Sequence, residues 1–200
     1  NPGHESETTG GSLYWNRGSG NCYFGQNNAT TACDFTITGL TEKAKAMIGN
    51  AKWYLGGIRT NSNDTTTFYT GERGTEVYSG RSTSWTGKVG LMYPSDYGYA
   101  TSGGTTTNRA SCLAKIMYDW DSSSVSDCKN NDWLFNTSTA EWTMSPRATN
   151  SDYVFFVGQI GYVNFLYAHR SYTARPVVHL KSTIKVITGS GTKESPYILE

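Results

Sequence analysis

The sequence predicts an α+β domain in which two helices stand among several short antiparallel strands and long loops. Three observations carry this. Only two stretches of the 200 residues sustain a helical apolar period; short runs of aromatic and β-branched residues recur between them; and Gly, Ser, Thr and Asn fill the intervals. The length suits one domain and is sufficient to bury a core. Hydrophobic residues make up 36% but aromatics 14%, with 14 Tyr and 6 Trp, so the core must rest on large rings. Charged residues, at 16%, fall below the roughly 25% of an average domain.

Residues 1–12 read as a flexible lead, followed by a single domain over 13–200. "SLYWNRGSGNCYF" and "CDFTITGL" have the composition of short strands. Residues 41–55 read as the clearest helix. Ala44, Met47, Ile48, Ala51 and Leu55 keep the i, i+3, i+4, i+7 spacing, Thr41 is placed to cap the start, and Gly56 and Gly57 stop it. Residues 59–88, with "TTTFYTGERGTEVYSG", suggest a hairpin or long loop. "KVGLMYPSDYGYAT" reads as a buried strand running into a turn at Pro94. Around 108–117 a second helix is expected, capped by Asn108, with Ala110, Leu113, Ile116 and Met117 on one side. "NNDWLF" and "AEWTMSP" read as short aromatic strands, and the last 26 residues as strands broken at "GSG".

The formal net charge is +1 and no basic run exceeds four residues, which argues against nucleic acid as a partner. No apolar stretch approaches a membrane span, so direct membrane insertion is not expected. "NPGHESETTGGS" reads as a mature start or a cloning boundary, with any targeting segment outside this chain. The four cysteines, Cys22, Cys33, Cys112 and Cys128, flank two short polar loops without a C-x-x-C pair. Two local disulfides are the favoured reading over a zinc site, although four cysteines permit three pairings. Disulfides imply an oxidising compartment, hence an extracellular or cell-surface protein.

Motifs for catalysis are sparse. There is no G-x-S-x-G elbow, no phosphate-binding G-x-x-x-x-G-K-[ST] loop and no H-E-x-x-H. Glu72, Arg73 and Glu76 suit an ion pair bracing a hairpin, and Ser95 and Asp96 suit a turn or cap. Arg175, entering a buried strand, suits a tie to loop carbonyls. Asp119, Asp121, Asp127 and Asp132 have the chemistry of a paired-carboxylate site but lie where Asp commonly makes turns. The expectation is therefore no enzyme, no cofactor and no metal.

The remaining stretch is "VFFVGQIGYVNFLYAHRSYTARPVV", residues 154–178, whose large side chains share no sustained period. With "WTGKVGLMYPSDYGYAT", "SSSVSDCKNNDWLF", "EWTMSP", "RPVVHLKS" and "GSGTKESPYIL", it resembles proteins of gut Firmicutes, some with a pilin-like N-terminal helix. The resemblance covers about residues 38–200. The C-terminal layout is similar to the C-type-lectin-fold variable proteins of diversity-generating retroelements, the class of the phage major tropism determinant. There, error-prone copying at template adenines diversifies one ligand-binding face of a fixed fold. Thr173-Ala174 stands where those relatives carry Gly-Val, and the Glu-Pro-Asn and Gln-Pro-Asp triplets of calcium-dependent sugar-binding lectins are absent.

The resemblance implies a C-type-lectin-like fold with a variable region at about 147–173. Scaffold positions are expected at Val154, Phe155, Val157, Gly161, Tyr162, Val163, Ala168, Arg175, Pro176 and Val177. Ligand-contacting positions are expected at Arg147, Asn150, Asp152, Tyr153, Phe156, Gly158, Gln159, Ile160, Asn164, Phe165, Leu166, Tyr167, His169, Arg170 and Tyr172. Tyr and Arg dominate binding hot spots, and Tyr gives wide contact at low entropic cost. The expected function is a non-enzymatic adhesin or receptor-binding protein. Its ligand would be a protein or glycan on another cell, phage or host surface, with homo-oligomer or pilus assembly possible. The alternatives are a fixed glycan-binding module using Trp and Tyr stacking, a pilin-type structural subunit, and a formylglycine-generating-like or glycoside-acting enzyme.

Overall fold

A computed structural model describes residues 12–14, 21–24, 28–32, 40–168, 170–192 and 194–200. In chain order the elements begin with β1 (Ser12–Tyr14), β2 (Asn21–Phe24), β3 (Asn28–Ala32), α1 (Glu42–Met47) and β4 (Ala51–Tyr54). Next come α2 (Thr65–Glu72), β5 (Ser84–Gly87), β6 (Val89–Leu91), α3 (Pro94–Ala100) and α4 (Arg109–Leu113). Two 3₁₀ turns, Met117–Asp121 and Ser123–Val125, lead into α5 (Ser126–Asn130). The chain finishes with β7 (Glu141–Pro146), β8 (Tyr153–Val157), β9 (Val163–Tyr167), β10 (Ser171–Ala174), β11 (Pro176–Val178), β12 (Val186–Thr188) and β13 (Ile198–Leu199). The class is mixed α+β, as expected, but with five short α-helices among the described residues where two were predicted.

The central sheet has the order β1-β10-β7-β8-β9, and only the β10–β7 pairing is parallel. It is covered on both faces. Because successive strand residues point to opposite sides, Phe155 and Val157 of β8 enter one core with Phe68, Met92, Tyr97, Met117, Trp120 and Val163. Val154 and Phe156 enter a second with Trp142 and Ala168. Trp53, Tyr93 and Met144 form a third. Large rings thus carry the burial, as the composition requires.

Several expectations are corrected. The helix predicted over 41–55 stops at Met47. Thr41 does cap it, accepting from the Ala44 amide at 3.2 Å. Ile48 then bridges Leu180, and Ala51–Tyr54 pairs with β5. Tertiary packing overrides the helical period here, because Trp53 is buried against Gly90, where a Cβ would come within 2.6 Å of the indole. The stretch 59–88, expected as a hairpin or long loop, contains α2, capped by Asp64, which accepts from the Thr67 amide at 2.7 Å. Thr65, Phe68 and Glu72 are its buried face at i, i+3 and i+7; two of the three are polar, so an apolar count missed it. Pro94 starts α3 rather than a turn, at the first helical position where its missing N–H costs nothing.

The second predicted helix ends at Leu113, leaving Met117 buried in the following 3₁₀ turn and Ile116 at the surface. "NNDWLF" is no strand: Asp132 Oδ1 accepts from the Leu134 amide at 2.8 Å and turns the chain. Arg175 pairs with the buried Glu141 carboxylate at 2.9 Å rather than with loop carbonyls. Cys112 and Cys128 form a disulfide with Cα atoms 5.4 Å apart, wholly inside the main core. The Cys22–Cys33 pairing and most of the lead at 1–12 lie outside the described residues.

Candidate functional site

The segment 147–173 runs through β8, β9 and β10. Among its expected scaffold positions, Val154, Phe155, Val157, Gly161, Val163 and Ala168 are buried. Among the expected contact positions, Gln159, Ile160, Tyr167 and Arg170 are exposed, and Arg147, Asn150, Asp152, Tyr153, Asn164, Phe165, Leu166 and Tyr172 are partly so. Phe156, only 4% exposed, and Gly158 are buried. His169 lies outside the described residues.

The register decides which of these meet. Tyr153 faces Tyr167, and Phe155 faces Phe165, so Tyr153, Phe165 and Tyr167 gather at one end of the β8–β9 ladder. The Tyr153 ring lies 4.4 Å from Tyr167 and 5.5 Å from Phe165 between centroids. Hydrogen bonding to Tyr167 holds the Tyr153 phenol above its ordinary pKa, with burial adding to it. Arg147 completes the group. Its guanidinium stands 4.0 Å from the Phe165 centroid and 5.6 Å from that of Tyr153, within cation–π range. Leu166 and Phe156 join the opposite core beside Trp142, and Tyr172 stacks there at 4.8 Å from each of those two rings. The contact positions therefore divide between the two sides of the sheet.

A third place is the β8–β9 turn. Gly161, at φ +97°, adopts a backbone conformation that favours glycine, and the Gly161 amide bonds the Gly158 carbonyl at 2.9 Å. Lys129 donates to the Ile160 carbonyl at 2.8 Å, and the Tyr97 hydroxyl donates to the Gly161 carbonyl at 2.9 Å. These anchors hold Gln159 and Ile160 outward, with Ile160 50% exposed. Sequence reasoning missed Lys129 and Tyr97, because both act from elements distant in the chain.

Beside the Arg147 group the loop 57–61 runs against the segment. Arg147 Nε donates to the Arg59 carbonyl at 2.9 Å, and Asn61 Nδ2 donates to Asn164 Oδ1 at 3.1 Å. This loop and α2 enclose an open groove of about 440 Å³. Threonines 60, 66, 67 and 70 line it, and the Arg59–Glu76 ion pair stands at its wall.

The carboxyls of Asp127, Asp132 and Glu72 are shifted from their ordinary pKa values. Asp127 accepts from the Thr106 hydroxyl and the Thr106 and Thr107 amides; the hydroxyl bond first, then the amides, hold its carboxyl below the usual range. Burial pushes Asp132 up to about 7. Burial likewise raises Glu72 to about 7, opposed by hydrogen bonds from Ser95. Glu72 and Ser95 are both fully buried, so their contact offers no substrate access. Among the described residues no three His, Cys, Asp or Glu side chains gather as a metal site, and no helix is long and apolar enough to cross a membrane. Compared with known proteins, the chain matches no family model, no curated protein and no solved structure.

Proposed function

We propose that this chain is a non-enzymatic ligand-binding protein displayed outside the cell, an adhesin or receptor-binding type, with a C-type-lectin-like frame. Residues 147–173 are its contact segment, diversified by a retroelement. The observation that supports this is the interleaving of buried and accessible residues along one segment. Val154, Phe155, Val157, Gly161, Val163 and Ala168 are buried, while Gln159, Ile160, Tyr167 and Arg170 between and beyond them are exposed. Such a pattern lets Gln159, Ile160, Tyr167 and Arg170 change without disturbing the core that holds them, whereas Phe156 and Gly158, expected among the contact positions, belong to that core. Half-exposed Tyr153 and Arg147 beside Tyr167 have the composition of a binding hot spot. The disulfide and the pinned β8–β9 turn supply the rigidity that keeps a contact surface preorganised.

Sequencing the gene across a natural population tests this. Substitutions concentrated in codons 147–173, at positions derived from template adenines and beside a reverse transcriptase gene, are the expected result. Codons there as constant as those of 41–55 would refute diversification.

A further inference from the structure

We propose that the groove between the 57–60 loop and α2 is a fixed subsite for a neutral sugar residue, contiguous with the diversified segment. This inference rests on the ligand-binding reading above and adds to it a ligand class and residues outside 147–173.

The groove is built by backbone approach. Gly57 lies against Ala148, where a Cβ would come within 2.8 Å of the Ala148 amide nitrogen, and Gly71 lies against Ile58, where a Cβ would come within 2.1 Å of Cδ1. With no side chains at these two points, Ile58 forms the floor, and α2 and the loop form two close walls. A volume of about 440 Å³ lies within the range of small-ligand sites.

Both walls are fixed in advance. Helix α2 is capped by Asp64 at one end and tied at the other by Glu72, which accepts from the Ser95 amide at 2.9 Å and from the Ser95 hydroxyl. The loop is held by the Ala148 amide on the Ile58 carbonyl, at 3.0 Å, and by the Gly57 amide on the Glu76 carbonyl, at 2.7 Å. Binding here would not have to pay the ordering cost of a mobile loop.

The lining chemistry selects the ligand. Thr66 and Thr67 present hydroxyls that donate and accept, and Thr70, whose hydroxyl donates to the Thr66 carbonyl at 3.0 Å, presents one that accepts; their methyl groups suit the C–H faces of a pyranose. Arg59 and Glu76 neutralise each other, so a charged ligand would have to break that pair while a neutral polyol would not. An extended peptide adding to the sheet is disfavoured. Strand β9 is the sheet edge, yet the Phe165 amide is already taken by Asn164 Oδ1 at 2.8 Å, removing a donor that an added strand would use. The Arg147–Arg59 bond joins the groove wall to the Tyr153–Tyr167 rings, and the Asn61–Asn164 bond ties the adjoining loop to β9.

The test is an amide chemical-shift titration of the full chain with a neutral hexose, an N-acetylhexosamine and a hexuronic acid. The expected result is saturable shifts at Gly57, Thr66, Thr70 and Glu76 with a neutral sugar, and weaker ones with the acid. The double substitution Thr66→Ala and Thr70→Ala should then weaken binding about tenfold with the fold intact by circular dichroism. Shifts confined to residues 147–173, or unchanged affinity in the double variant, would overturn the subsite and leave the diversified-segment reading standing. The absence of shifts with every sugar would overturn it too. Constancy of codons 147–173 would overturn that reading while groove shifts persisted.

Discussion

Glu72, at the last turn of α2, places its buried carboxyl on the amide and hydroxyl of Ser95 in the first turn of α3. Arg73 adds an ion pair at 3.0 Å, and the Arg73 guanidinium stacks 3.7 Å from the Tyr69 centroid. Asp96 is also near and is itself raised, chiefly by burial.

This joint makes stability fall as pH rises. Burial raises the folded Glu72 pKa to about 7, above its ordinary value. The folded state therefore binds more protons, and the resulting stability is fully present below the unfolded pKa and lost as pH climbs through about 7. Asp132, also raised to about 7, acts in the same direction. Melting temperature should decline from pH 5 to pH 8, and Glu72→Gln should flatten that slope. An identical slope in the variant would remove Glu72 as the cause.

Core and contact positions in the same strands should part company under substitution. Phe156→Ala should cost about 3–5 kcal/mol, since the ring is buried against Trp142, Tyr162 and Tyr172. Tyr167→Ala and Arg170→Ala, at exposed positions, should each cost roughly 1 kcal/mol or less. Urea denaturation of the three variants checks this. Equal losses would mean that the exposed side chains are structural.

The disulfide should be needed for stability at elevated temperature. Cys112 and Cys128 are separated by 16 positions, and replacing both with Ala should cost about 3 kcal/mol, or roughly 10 °C in Tm. Calorimetry of the double variant measures it, and a shift within 2 °C would be inconsistent with that role.

Lys129→Met should loosen the β8–β9 turn selectively. It removes the donors to the Asp121 and Ile160 carbonyls but keeps an apolar stem beside Gly161. Hydrogen exchange should quicken at Gly158 and Gly161 and stay unchanged in β7. Uniform acceleration would mean global rather than local destabilisation.

The aromatic composition announced cores built from rings, and "EWTMSP", "VFFV" and "PVV" were legible as strands from their β-branched and aromatic residues, the first two being buried on both faces. Helix α2 was hidden because its buried face holds Thr65 and Glu72: Glu72 finds its hydrogen-bond partner in Ser95 of α3 and Thr65 packs against Gly98 of the same helix, neighbours that no local window contains. The 41–55 period was misleading because Trp53 is claimed by Gly90 and His179, far along the chain. Within the segment 147–173, Val154, Phe155, Val157, Val163 and Ala168 were readable as buried, but Phe156 and Gly158, expected as contact positions, are buried as well, and beyond the segment Pro176, expected as scaffold, is exposed. That Phe165 and Leu166 face different cores follows from strand alternation, but which residues each one meets depends on the β8–β9 register, and that Arg59 and Asn61 adjoin the segment depends on the wider fold.

That register also shapes how the segment can evolve. Phe165 is read by Phe155, Tyr153 and Arg147, whereas its chain neighbour Leu166 packs with the Trp142 cluster, so adjacent codons report to different audiences. Substitutions combine nearly additively when their sites are well apart and share no partners, and less so when they are neighbours. Changes at 165 and 166 are therefore expected to couple through their common backbone rather than through shared side-chain partners. The sheet, by separating neighbours, turns one short stretch of gene into two alphabets with different readers.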